Sequence, residues 1–199
     1  MATVVVTGGR GGLGRSVVAV LEGAGWDVRV PDVDLREEGA VEAWYDAQGP
    51  IDASVHLVGG FAMSLFKETS LELFQAQLDV NLRTCFLCCR AAARRMERGA
   101  IVNVAARPAL EPRLGAGMSA YAVSKAGVVA LTVALAEELV GSVRVNAVAP
   151  GIIDTPLNRE AMPGADRSRW VSPDAIALVV RNLIAPENVV SGAVIPLYG

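Results

Sequence analysis

Six short runs rich in valine, isoleucine and alanine recur along the chain, and longer stretches of helical period separate them. A short run that is apolar throughout reads as a strand buried on both faces. Alternation of such strands with helices builds βαβ units around a parallel sheet. Strands are expected at Val4–Val6, Val28–Val30, Ala53–Val58, Ala100–Val104, Val143–Val148 and Val189–Leu197. Helices are expected at Leu13–Glu22, Glu37–Ala47, Leu71–Glu97 and Ser119–Leu139, with a last one running from Ser172 to Ile184. The implied architecture is a doubly wound, three-layer α/β/α sandwich. Its 199 residues suffice for one domain with its own core.

Composition narrows the function. Charged residues make up 20% of the chain and apolar ones 52%, which excludes a disordered chain. A net charge of -3 argues against a nucleic-acid partner. No uninterrupted apolar run reaches the roughly 18 residues of a membrane span. The start, Met1 to Val6, lacks the basic region of a signal peptide. Three cysteines without such a signal point to reduced thiols, so a soluble, cytoplasmic protein is expected.

Two helices are too apolar for an exposed outer layer. Ala126–Ala136 has no charge, and Thr84–Ala93 carries only Arg90. A helix apolar all round must be covered all round. A homodimer or homotetramer through the helices at 71–97 and 119–139 is therefore expected; a covering lid from the same chain is the alternative.

The first strand leads into Thr7-Gly8-Gly9-Arg10-Gly11-Gly12-Leu13-Gly14 at a helix start. Glycines at 8, 12 and 14 permit positive φ and close backbone approach, so amides at the helix N-terminus can hold a pyrophosphate. A dinucleotide site also needs an acid after the second strand for the adenosine ribose. Asp32 stands 18 residues after Gly14, and Asp34 follows. A carboxylate there favours NAD over NADP, while Arg29 and Arg36 nearby keep NADP open, and both acids also suit a turn.

Tyr121 and Lys125 lie one helical turn apart on one face. A phenol with a pKa near 10 needs a neighbouring cation to exchange protons near neutrality. One of only two lysines in the chain occupies that position.

Together, Thr7-Gly8…Gly12-Leu13-Gly14, Asp34-Leu35, Asn81, Tyr121…Lys125 and Pro150-Gly151-Ile152-Ile153-Asp154-Thr155 resemble the short-chain dehydrogenase/reductase family, in its order and over nearly the whole chain. The resemblance implies a Rossmann fold and an NAD(P)-dependent oxidoreductase acting on a small carbonyl or alcohol. It implies cofactor contacts from Gly8, Arg10, Gly12, Leu13, Gly14, Asp32, Asp34, Leu35, Val58, Gly59, Gly60, Pro150, Gly151, Ile153 and Thr155. It further implies that Tyr121 exchanges a proton with the substrate, that Lys125 lowers its pKa and binds ribose, and that Asn81 holds a water of the relay.

The departures are specific. His56-Leu57-Val58-Gly59-Gly60 stands where the family has Asn-Asn-Ala-Gly, and His56 reads as a hydrogen-bonded core residue. The family's catalytic serine is replaced at Ala105 and Ala106. Three readings follow. A carbonyl enzyme works with help from Ser119 or Arg107. A quinonoid pterin, needing little polarisation, is reduced, because Gly59-Gly60-Phe61 and Gly117-Met118 are similar to the dihydropteridine reductases of that family. Or the protein binds NAD as a sensor or scaffold with little turnover.

Other signals carry less. Cys85, Cys88 and Cys89 share a helix face but fall short of the four ligands of a closed zinc site, and His56 is remote in sequence; packing at a subunit interface is expected, with no metal. The cluster Arg90, Arg94, Arg95 and Arg98 suits a solvated helix end. Pro156–Val171, with Met162 and Trp170, reads as a substrate lid or a plain loop. Finally, too few residues separate Val30 from Asp34 for the helix and strand usual there, so the sheet is expected to lack one strand, with Asp32 and Asp34 crowded at one ribose-adenine site.

Overall fold

Val4, Val5 and Val6 have no exposed surface, as an apolar run without alternation requires. They form the centre of β1 (Thr3–Thr7) in a computed structural model that describes residues 1–199. β1 pairs in parallel with β2 (Asp27–Arg29) on one side and β3 (Ala53–His56) on the other. β4 (Gly99–Val104), β5 (Val143–Pro150) and β6 (Val194–Leu197) extend the sheet, giving the order β2-β1-β3-β4-β5-β6. Every pairing is parallel.

The pleat sends alternate side chains to two separate cores. Val5, Ile101 and Val145 pack with α2 (Glu38–Gln48), α4 (Thr84–Ala93) and α6 (Ser119–Glu138). Val4, Val6, Val55 and Val102 pack with α1 (Gly12–Gly23) and α8 (Pro173–Ile184). This is the doubly wound sandwich. In the usual order of such sheets a further strand lies outside the second; here β2 is the edge, so the shortening after Val30 has removed that strand.

Several boundaries differ from expectation. β2 covers 27–29, one residue earlier than expected, and β5 continues to Pro150. The third strand stops at His56 instead of Val58, because the chain leaves the sheet toward Gly59. The last begins at Val194; the loop before it hangs on Asn146, which donates to the Val190 carbonyl and accepts from the Ala193 amide. The long helix expected at 71–97 is three pieces. α3 (Leu71–Leu78) gives way to a π-turn at Asp79–Arg83, and α4 then ends at Ala93. A π-turn adds a residue to the helical repeat, and this one rotates Asn81 into the core.

Ala120, Ser124, Val128, Thr132 and Ala136 form a buried stripe of small residues at four-residue spacing, which lets α6 sit close on β4 and β5. Val123, Ala126, Ala130 and Val133 face out on the other side. By length and composition α6 is apolar enough to cross a membrane, although its uninterrupted apolar run is shorter than a span. The expected lid contains a short helix, α7 (Pro156–Ala161), and is tied down at both ends by a bridge between Ile153 and Val171. The cysteines correct another expectation: all three are buried within this chain's own core, against the sheet and α2, so they do not form a subunit contact.

Candidate active site

The loops after β1, β3, β4 and β5 converge at the carboxyl edge of the sheet, where open α/β folds bind ligands. The glycine turn divides its work differently from expectation. Only Gly8 has positive φ, at 70°. Gly14 is needed for space, since a Cβ there would strike the Gly8 carbonyl oxygen. Gly12 faces Thr155, whose Cγ2 would lie 3.0 Å from an added Cβ, so two expected cofactor segments meet. Gly8 packs in the same way on the Val58 backbone. Gly11 and Gly12 are exposed at the start of α1, leaving its first amides open to an anion. Leu13 is half-buried beside them, and Arg10 is exposed.

At the second acid position the outcome is mixed. Asp32 is exposed. Asp34 is gripped by Arg36 at 2.7 Å, and those hydrogen bonds pull its carboxyl down to about 2. Leu35 turns its side chain into the core. Arg29 is held by Asp27 and the Gln48 carbonyl.

The chemical end is denser. The Lys125 Nζ donates to the Val104 carbonyl at 2.8 Å, and burial pulls its pKa down to about 8. Asn81 donates to the Gly60 carbonyl and accepts from the Gly60 amide, each at 3.0 Å. A Cβ on Gly59 would lie 2.8 Å from Asn81 Oδ1 and 3.1 Å from Lys125 Nζ, so Gly59, Asn81 and Lys125 meet at one point. Ser124 joins them, accepting from Asn81 and donating to the Tyr121 carbonyl. The sequence reading missed this residue; its place inside Tyr121…Lys125 was the available signal.

Tyr121 stands one turn away, with Phe61 edge-on at 5.0 Å between ring centroids. Burial pushes its phenol up to about 12, the reverse of the lowering expected from Lys125. The reason is local: the Lys125 ammonium is directed at Val104, and desolvation governs the phenol. Ala105 and Ala106 are buried and offer no hydroxyl. Arg107 does not reach in as a substitute, because Glu111 holds it with two hydrogen bonds and its guanidinium lies 4.4 Å from the Tyr198 ring centre. Ser119 lines a neighbouring groove with Phe66, Leu71 and Phe74.

Beyond β5, the Gly151 amide donates to Leu197, and Thr155 caps α7 by accepting from the Asn158 amide. Asn158 also donates to the Ile153 carbonyl, and Asp154 pairs with Arg159. The segment from Pro150 to Thr155 is thus fixed before any ligand arrives.

Comparison with known proteins agrees with this fold. A family model described as enoyl-(acyl carrier protein) reductase matches residues 2–195. The 3-oxoacyl-[acyl-carrier-protein] reductase MabA of Mycobacterium tuberculosis is 30% identical over 225 residues, spanning 99% of this chain and 91% of that protein. Among solved structures, a short-chain dehydrogenase/reductase from Serratia marcescens superposes with a TM-score of 0.91 at 26% identity, covering 98% of this chain and 96% of that one. ElxO with NADP bound gives the same TM-score at 21% identity, with the same coverage. This chain belongs to the short-chain dehydrogenase/reductase family of NAD(P)-dependent oxidoreductases.

Proposed function

We propose that this protein transfers a hydride between NAD(H) and a small carbonyl or alcohol, with Tyr121 exchanging the proton. The observation that carries the reading is the meeting of Asn81 and Lys125 over Gly59, one turn from Tyr121. The side-chain-free surface of Gly11 and Gly12, and the room kept at Gly59, suit a dinucleotide laid along this edge. When bound, the nicotinamide supplies the hydride or receives it.

The chain's residues do the rest. Gly8 to Gly14 present amides to the pyrophosphate, while Val58, Gly60 and the Pro150–Thr155 segment wall the ring end. Tyr121 holds its proton at neutral pH and can donate it to a substrate oxygen. Lys125 is still cationic there and holds the nicotinamide ribose. Asn81 fixes the Gly60 backbone and the relay beside it.

NAD is favoured over NADP because Asp32 presents an exposed carboxylate while Arg36 is engaged by Asp34. The outward stripe of α6, with Leu78, Leu82, Phe86 and Leu131 in a groove beside it, suits a homodimer or homotetramer. Three buried free thiols suit a reducing, cytoplasmic setting. Buried Ala105 and Ala106 favour a second reading, a quinonoid pterin that needs no serine to polarise it. The same loss suits a binding protein with little turnover.

The test is NADH oxidation with a panel of carbonyls and quinonoid dihydropterin, for the wild type and Tyr121→Phe. Loss of the donor lowers kcat by about 10²–10⁴-fold on the true substrate. Equal rates for both proteins on every substrate defeat the assignment.

A further inference from the structure

Beneath the active site, four buried atoms from β3, α4 and β4 face one another: His56 Nδ1, Cys85 Sγ, Cys89 Sγ and Asn103 Oδ1. Their separations are 4.0 Å between the sulfurs, 3.4 Å from Cys89 to His56, and 2.8 Å from His56 to Asn103. Each sulfur lies 3.3 Å from Asn103 Oδ1. The histidine and both cysteines have ligand atoms within 4.8 Å of one another. Packing of α4 on the sheet closes the sequence distance that had set His56 apart from the cysteines.

Hydrogen bonding alone allows this cluster one arrangement, with His56 protonated on Nδ1 and accepting from Ser54 at Nε2. Asn103 Nδ2 donates to Thr132 Oγ1, which itself donates to the Val128 carbonyl, and this fixes Oδ1 toward the cluster. That oxygen has two lone pairs for three facing groups, so with the imidazole and one thiol on it the other thiol has only the neighbouring sulfur, 4.0 Å away. If His56 carries its proton on Nε2 instead, two acceptors confront each other at 2.8 Å.

We propose that His56, Cys85, Cys89 and Asn103 form a structural Zn²⁺ site. Zinc bonds of about 2.3 Å to sulfur and about 2.0–2.1 Å to nitrogen or oxygen make a tetrahedron with edges of about 3.3–3.8 Å. Four of the five measured edges need to move by only about 0.1–0.3 Å to fit, and the 2.8 Å edge between His56 and Asn103 must open by about 0.5 Å. Charge closes as well. Both thiols lose their protons to solvent, and two thiolates neutralise the divalent ion, so no net charge is buried. The imidazole stays neutral by moving its proton from Nδ1 to Nε2. There it donates to Ser54 Oγ, 2.8 Å away, and Ser54 turns its own hydroxyl toward Tyr45, at 3.0 Å. Cys88, also on α4, supplies no ligand atom and faces Tyr45 instead.

The test is to refold the full chain under reducing conditions with Zn²⁺, desalt it, and count the metal. Co²⁺ in place of Zn²⁺ reports the ligands. About one zinc per chain is expected, with a thiolate-to-cobalt charge-transfer band and tetrahedral visible bands. Cys89→Ser and Cys85→Ser should lose the band, and Cys88→Ser should keep it. Less than about a tenth of an equivalent of zinc in the refolded wild type overturns the site. So does a band that survives the Cys85→Ser/Cys89→Ser double variant. Should that variant not fold, the wild-type zinc content and cobalt spectrum still decide.

Discussion

At the nucleotide end the groups facing a ligand are backbone amides and exposed charges: Gly11, Gly12, Arg10 and Asp32. At the chemical end they are side chains drawn from the core, with Asn81, Ser124 and Lys125 all buried. The first end is an edge left bare by the removal of side chains and of one strand. The second is a polar network inside the fold, in which Asn81, Ser124 and Lys125 each have a partner. Substitutions at the nucleotide end should therefore change which cofactor binds, except where a glycine makes space. Those at the chemical end should change stability and chemistry together.

Gly14→Ala should have the largest effect, because its methyl meets the Gly8 carbonyl and the turn cannot close. A loss of about 4 kcal/mol in urea unfolding, together with NADH binding, is expected. Retained NADH affinity would show that the turn has slack and would break the contrast.

Lys125 comes next, through pH. Burial lowers its pKa from 10.5 to about 8, so between these values the unfolded chain binds more protons and stability rises with pH. Tyr121 works the other way. Its pKa, raised from 10.0 to about 12, makes stability fall above pH 10. Lys125 should thus contribute a gain of about 3 kcal/mol from below pH 8 up to about 10, against which the raised Cys88, Cys89 and Tyr45 groups pull stability down above about pH 9. The difference between the wild type and Lys125→Met should show that gain. An unchanged profile in that variant assigns the titration elsewhere.

Asn81→Ala leaves the Gly60 amide and carbonyl unpaired, with an expected loss of about 2 kcal/mol and lower turnover. If stability falls and turnover does not, Asn81 serves the fold alone. The smallest effect belongs to Asp32→Asn at the exposed end. The preference for NADH over NADPH should drop about tenfold, near 1.4 kcal/mol, with no change in unfolding. Tighter NADPH binding in the wild type would contradict the role given to Asp32.

Much of the fold was legible because its signals are local. Apolar runs placed five strands within about two residues and began the last one five residues early, and the missing strand followed from the few residues between Val30 and Asp34. The π-turn was not legible. Leu71 to Ala93 has helical period throughout, and the break arises because Asn81 must reach Gly60 across the fold. The cysteines show the same limit. Their spacing gave one helix face, but which surface covered it depended on strands far away in sequence, and His56 entered only through packing. At the site, the motif positions named Tyr121, Lys125 and Asn81, whereas the direction of the Tyr121 shift needed burial, which spacing does not encode.

The central claim is that binding and chemistry reside at separable ends of one edge. The most direct measurement is the NADH dissociation constant of Tyr121→Phe, read by fluorescence titration beside the wild type. The phenol's absence should leave it within about threefold, below 1 kcal/mol, even where turnover has gone. A loss of NADH affinity as large as the loss of turnover would contradict the account.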